Sequence, residues 1–243
     1  MSPKLIIVTT ADGSNTIFNS EVGENYHSRH GALQESRHVF LESGLKYFLS
    51  CNQKVLPPTG GEDLGGASVS ILEVGFGTGL NFLLTADYCH AENISLNYIG
   101  IEAYPLSAET ISQTGYEQYI SADIWQQFIQ KYPEALQTAV RLALPTENCI
   151  LQIAYCKLLN FTSDKQYDVI YFDAFASAHQ PEMWDEAAIN QTLKFLKPGG
   201  VFVTYAITGN LKRIIKNLGL KVEKAPGAPG KREMLRAVKC ADE

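Results

Sequence analysis

Glu73-Val74-Gly75-Phe76-Gly77-Thr78-Gly79-Leu80-Asn81 follows the apolar run Val69–Val74 and leads into a further apolar stretch. A buried strand, a tight cluster of glycines and the start of a helix form the opening unit of a nucleotide-binding α/β domain. Glycine is needed where the chain turns sharply and where a ligand comes too close to the backbone for a Cβ. In the dinucleotide spacing GxGxxG the last glycine comes later, and the helix N-terminus receives a pyrophosphate. Here the spacing is GxGxG, with Glu73 two positions before the first glycine. A carboxylate there is badly placed for a phosphate and well placed for the cationic methionine end of S-adenosylmethionine. Roughly twenty residues further on, Glu102 ends the run Leu96–Ala103, where an acid accepts hydrogen bonds from ribose hydroxyls. The expected fold is therefore α/β, Rossmann-like, of the class I S-adenosylmethionine-dependent methyltransferase type.

Outward from this motif, strand-length apolar runs alternate with longer amphipathic stretches. The runs are 69–74, 96–103, 149–155, 167–175 and 200–205, and helices are expected from Gly79, Pro105, Pro181 and near Gly209. Such alternation marks a mainly parallel sheet covered on both faces. In Leu196-Lys-Pro-Gly-Gly200 a helix is expected to end before Pro198, with a glycine turn leading into the next strand. Two strands around the Pro/Gly loop in 220–239 would complete a mixed seven-stranded sheet. The segment Ser107–Thr146 reads as largely helical, with Tyr116, Tyr119, Trp125, Phe128 and Tyr132 as core or cover residues. Before the motif, Asp12-Gly13 predicts a hairpin turn between Lys4–Thr10 and Ser14–Asn19. One or two helices follow, interrupted at Gly31 and Gly44, and then a Gly/Pro-rich loop, Pro57–Ser68. The division expected is 1–66 as a hairpin and helical extension and 67–243 as the methyltransferase core.

With 243 residues, 45% of them hydrophobic, the chain can bury one α/β core and has no room for a second catalytic domain. The net charge of −6 works against diffuse capture of a polyanion, so an RNA substrate would need a local basic patch. Five cysteines without a CxxC pair or zinc-type Cys/His spacing predict neither a metal site nor a disulfide framework. No stretch has the length of a signal h-region or a membrane span, and the expected location is the cytoplasm.

Asp173 lies just past the end of the buried run Tyr167–Phe172, at the edge where open α/β sheets bind ligands. It would face both cofactor and substrate there, or else cap the next turn. Lys212, Arg213 and Lys216 share one expected helix, and Lys231 and Arg232 lie before the last strand. They are either solvated faces or, gathered at one rim, holders of RNA phosphates.

The segments ALQESRHVFLESGL, EVGFGTGLNFL, IGIEAYPLS, YFDAFASAHQPEMW, VTYAITGNLKR and PGKREMLRAV occur in that order between Tyr26 and Lys239. They resemble the methyltransferase domain of MnmC-like tRNA-modifying proteins. The resemblance implies methylation of the primary amine of 5-aminomethyl-(2-thio)uridine in the anticodon loop, without the FAD-dependent oxidase domain that follows in larger relatives. It implies that Gly75, Phe76, Gly77, Gly79 and Asn81 surround the cofactor, that Glu102 holds its ribose, and that Tyr26 and Glu35 close over it. Asp173 would stand beside the methyl group and the amine, and Phe175 or Trp184 would stack on the base. Two departures stand out. Cys156-Lys157 replaces the acid usual beside adenine, and Ser177 replaces a proline. The remaining readings are a methyltransferase for a small molecule or protein and a non-catalytic RNA-binding module; the glycine spacing opposes an NAD-dependent oxidoreductase.

Overall fold

The computed structural model describes residues 4–52, 67–144 and 148–240. Its centre is one sheet of strands β4 (Ser68–Val74), β5 (Ser95–Glu102), β6 (Val140–Ala143), β7 (Asn148–Tyr155), β8 (Tyr167–Phe172), β9 (Leu196–Thr204), β10 (Leu220–Pro226) and β11 (Glu233–Lys239). The order is β10-β11-β9-β8-β4-β5-β7-β6. The five strands from β9 to β7 run parallel, whereas β10, β11 and β6 pair antiparallel. The sheet thus has eight strands where seven were expected. The added edge strand is β6, inside the segment read as helical: Val140 and Leu142 point inward while Arg141 and Ala143 face solvent. Four residues of alternation are too few to stand out against a helical neighbourhood.

Helices α3 (Leu80–Ala91), α4 (Ala108–Ser112), α5 (Ala122–Ala135), α6 (Glu186–Leu193) and α7 (Gly209–Asn217) connect the strands. Three of them begin on a side-chain cap: Ser107 accepts from Thr110 N, Asp185 from Ala188 N and Thr208 from Leu211 N. The expected turn at Pro198-Gly199-Gly200 lies within β9. Pairing with β8 jumps from Tyr167–Leu196 to Val169–Val201, so the two glycines and the proline form a bulge in a continuing strand. Tyr116, Phe128 and Tyr132 are buried in the larger core, as their spacing predicted.

The N-terminal hairpin, β1 (Leu5–Thr9) and β2 (Asn15–Asn19), gains a short third strand, β3 (Glu24–Asn25). Its turn does more than reverse the chain. Thr10 Oγ1 accepts from Ala32 N at 3.2 Å, Ser14 Oγ from Leu33 N at 3.0 Å and Asp12 Oδ2 from Gln34 N at 2.9 Å. The first three otherwise unpaired N–H groups of α1 (Ala32–Glu35) are satisfied from another element. The chain then continues as a π-helix, Ser36–Lys46, and ends in α2 (Tyr47–Cys51). Gly44 does not break this helix. It lets the helix lie on the sheet, because an added Cβ would come within 2.9 Å of the Tyr171 ring and 3.0 Å of Val203. Of the expected loop Pro57–Ser68, residues 57–66 lie outside the described residues.

Gly44→Ala is therefore expected to overpack this junction and to lower unfolding free energy by about 1–3 kcal/mol, despite alanine's better helix propensity. Urea unfolding followed by circular dichroism measures it.

Candidate active site

Strand order reverses at β4, whose neighbours are β5 on one side and β8 on the other. Connections leave in opposite directions there and open a crevice at the C-terminal ends of the strands. The glycine motif occupies it. Gly75 has φ of 86°, and its Cα is pressed against the Asp173 carbonyl, leaving no room for a side chain. Asp173 N donates to Val74 O at 2.8 Å and Gly75 N to Ile101 O at 3.0 Å, tying the ends of three strands together. The Phe76 side chain is buried against Phe82, Phe128 and Tyr132, so only its backbone remains to face the crevice. Gly79, with φ of 78°, precedes the first residue of α3.

Helix α3 delivers Asn81 back toward the strand ends. Its Nδ2 donates to Glu73 Oε1 and to Asp173 Oδ2, each at 2.8 Å. Glu73 has no solvent exposure and also accepts from Tyr98 Oη at 2.8 Å. Burial pushes its carboxyl well above the usual range, and the nearby Asp173 adds to the shift. Burial and then Glu35 push Asp173 up to about 8 against the opposing pull of Asn81 and Lys231. Asn81 Oδ1 is buried with no hydrogen-bond partner among the described residues. A cluster of buried acids with an unused acceptor favours a cationic, hydrogen-donating ligand.

Glu102 lies beside the glycine turn, where its two oxygens accept from Gly77 N and Tyr104 N at 2.9 Å each. Burial raises its pKa, and those N–H groups oppose the rise. Tyr26 covers Gly77, where an added Cβ would come within 2.9 Å of its ring. It meets Phe175 edge-on at 5.1 Å between ring centres. Burial and the Glu102 charge push the Tyr26 phenol up to about 12. At the departure noted in the sequence, Cys156 is half-buried just beyond Tyr155, the register partner of Glu102, and Lys157 is exposed. Tyr155 ends β7 and Tyr104 lies just past the end of β5, and both are largely exposed, at 65% and 69%.

A cavity of about 350 Å³ opens between the N-terminal sheet and the loop after β8. Glu24, Tyr26, His27, Glu35, Phe175 and Lys231 are among its walls. Lys231 Nζ donates to Glu35 Oε2 at 2.6 Å and stands 3.8 Å over the Tyr205 ring. Lys231 is thus turned inward, away from Arg232, which is exposed. Arg213 is exposed on α7 and bonds Asn210 at 2.7 Å, while Lys212 is half-buried on the same helix. Of the five basic residues named in the sequence, Arg213, Lys216 and Arg232 are exposed, Lys212 is half-buried and Lys231 is engaged by Glu35. Trp184 is buried: its Nε1 donates to Phe175 O at 2.7 Å, and its ring meets Phe172 and Tyr205 edge-on. It also borders a second cavity of about 450 Å³, with Ser177 and Asn210.

Glu24, His27 and Tyr205 were not singled out in the sequence. The signal for Glu24 and His27 was a dense polar and aromatic run, Glu24–Arg29, with no periodicity, which marks a loop but not its partner, while Tyr205 closes the strand run 200–205. His27 is buried, its imidazole pushed down to about 4 by burial, and it packs with Thr16. Among the described residues no cluster of metal-ligating side chains occurs, and no helix is long and apolar enough to cross a membrane.

Residues 120–240 match a family described as S-adenosyl-L-methionine-dependent methyltransferase. The tRNA 5-methylaminomethyl-2-thiouridine biosynthesis bifunctional protein MnmC of Marinobacter nauticus is 29% identical over 88% of this chain and 33% of its own length. The protein of the same name from Idiomarina loihiensis is 31% identical over 86% of this chain and 34% of its own. The chain spans about a third of the length of these relatives. The structure of MNMC2 from Aquifex aeolicus superposes with a TM-score of 0.74 at 20% identity, covering 99% of this chain and 72% of that one. Cofactor and cradle agree, since a sulfonium and an ammonium are the cations that the buried acids and Asn81 Oδ1 favour. The chain is a homologue of the MnmC proteins over most of its length and carries the class I S-adenosylmethionine-dependent methyltransferase fold.

Proposed function

We propose that the protein methylates the primary amine of 5-aminomethyl-(2-thio)uridine at the wobble position of tRNA, acting in the cytoplasm. The observation that carries this reading is Asp173, an acid at the glycine cradle whose following residues, Ala174 and Phe175, wall a cavity. Homology to proteins named for methylaminomethyl-thiouridine biosynthesis supports the substrate. We read residues 1–66 as an extension covering the site and 67–243 as the catalytic core.

S-adenosylmethionine supplies an electrophilic methyl group. Glu102 would take the ribose hydroxyls on its remaining lone pairs, with Gly75, Gly77 and Gly79 allowing close approach and Tyr26 closing the outer side. Asp173 Oδ2 is held by Asn81, which leaves Oδ1 to orient the amine and to take its proton. In the ligand-free protein its carboxyl lies at about 8 and holds a proton near neutral pH, so Asp173 takes the amine's proton only once a bound cation has favoured its ionised form. A wobble base from a single-stranded loop could turn into the cavity and stack at the Tyr26–Phe175 edge. Exposed Arg29, Arg213 and Arg232 would hold phosphates around it.

Incubation with labelled S-adenosylmethionine and tRNA bearing aminomethyluridine is expected to yield labelled methylaminomethyluridine on nuclease digestion. Label confined to protein or small molecules refutes the reading. Asp173→Asn should lower kcat about 100-fold at saturating cofactor. An unchanged kcat would remove Asp173 from the chemistry.

The Asp173 shift also has a sign in stability. Its folded value of about 8 exceeds the ordinary 3.8, so the folded state binds the proton more tightly. This contribution is fully present below pH 4 and is lost as pH rises through 8. Ligand-free wild type should therefore lose stability across that range more steeply than Asp173→Asn in pH-dependent melts. A cation bound beside Asp173 favours its ionised form. Cofactor binding at pH 7 should accordingly release about one proton in wild type and clearly less in Asp173→Asn, read from the buffer dependence of calorimetric heats.

A further inference from the structure

We propose that Glu24, on strand β3, is the residue that receives the acceptor as a primary ammonium ion and so selects for its charge. The inference rests on the tRNA-amine reading above and deepens it. Glu24 is a wall of the cavity, whereas Gly75, Gly77 and Glu102 are not, which places it on the acceptor side and not on the cofactor side. Its Oε2 accepts from Ala176 N at 2.8 Å, which fixes the carboxylate against the loop that follows Asp173. Its Oε1 has no hydrogen-bond partner among the described residues, and neither does Asp173 Oδ1.

Neither acid has a salt-bridge partner among the described residues, and Lys231, a cation of the cavity wall, is held by Glu35. Two further acceptors lack donors: Asn81 Oδ1, on a residue only 4% exposed whose amide nitrogen holds Asp173, and Asn25 Oδ1, adjacent to Glu24 and also in the cavity wall. An alkylammonium brings three N–H donors and one positive charge. It answers both deficits, while a neutral hydroxymethyl group brings a single donor and no charge and a methyl group brings neither. An acceptor with a carboxylate on its amine would set a negative charge among acids.

The hydrogen bond to Ala176 needs only an acceptor oxygen, which glutamine provides equally well. The negative charge of Glu24 is therefore surplus to its structural role. In the reaction the ammonium gives one proton to Asp173, and the freed lone pair forms the N–CH₃ bond. The C–S bonding pair stays on sulfur, and the product leaves as a secondary ammonium. A second carboxylate holds the ammonium but opposes its deprotonation, so Glu24 acts on binding and not on turnover.

The test compares one tRNA with and without the aminomethyl group, binding full-length protein in the presence of S-adenosylhomocysteine. Wild type is expected to prefer the amine-bearing tRNA by about 10-fold, the scale of one hydrogen-bonded charge pair. Glu24→Gln should lose most of that preference and raise KM for tRNA about 10-fold, with kcat within about 3-fold and cofactor Kd unchanged. Glu24→Asp should recover part of the preference. Glu24→Ala, which also frees Ala176 N, should lose thermal stability that Glu24→Gln keeps. A Glu24→Gln protein that retains the preference, or whose main defect is in cofactor Kd, overturns the role of Glu24 alone. Wild type that neither methylates the tRNA nor distinguishes the two forms overturns the tRNA-amine reading along with it.

Discussion

One amide nitrogen, Asn81 Nδ2, stands between the buried carboxyl of Glu73 and the half-buried carboxyl of Asp173 at 2.8 Å from each, and the chemistry of the crevice depends on that bridge. Glu73 ends β4, Asp173 follows β8 and Asn81 opens α3. A single side chain therefore joins the two central strands to the helix between them. It reaches both only because Gly75, Gly77 and Gly79 adopt positive φ and fold the loop back over the strand ends. The amide satisfies one lone pair on each acid and neutralises no charge. Burial holds both acids toward their protonated forms, against the opposing pull of the Asn81 hydrogen bond. A site built in this way suits a sulfonium cofactor and a basic acceptor.

The second half of the site comes from the ends of the chain. The hairpin turn caps α1, and α1 presents Glu35 to Lys231 in the β10–β11 loop, 196 residues further along. His38 Nε2 meets Pro226 O at 2.7 Å in the same region. These contacts bring Glu24, Tyr26 and His27 over the cradle and form the cavity beside Asp173. The N-terminal segment is thus part of the pocket wall. Its long π-helix follows the sheet closely because Gly44 leaves space for Tyr171 and Val203.

Much of this was legible in the chain because the relevant signals are local. A glycine that must take positive φ next to an apolar strand, an acid at the end of the following strand, and alternating strand and helix periods each span about ten residues or fewer. They specified the α/β class, the cofactor type, and Glu73, Glu102 and Asp173 as residues of interest. The additional edge strand escaped because β6 is four residues long, and the bulge in β9 because Pro-Gly-Gly reads equally well as a turn. The direction of long polar side chains is not a local property. Lys231 looked like a free surface cation in sequence, yet it turns inward because an acid from the other end of the chain is there to pair with it. Phe76 sits within the cofactor motif, yet its ring belongs to the core. The sequence by itself determined the fold class and the cofactor type, since spacing along one βαβ unit specifies both. Only the tertiary structure decided which residues wall the cavity, since Glu24, Glu35 and Lys231 meet through long-range packing that no local period encodes.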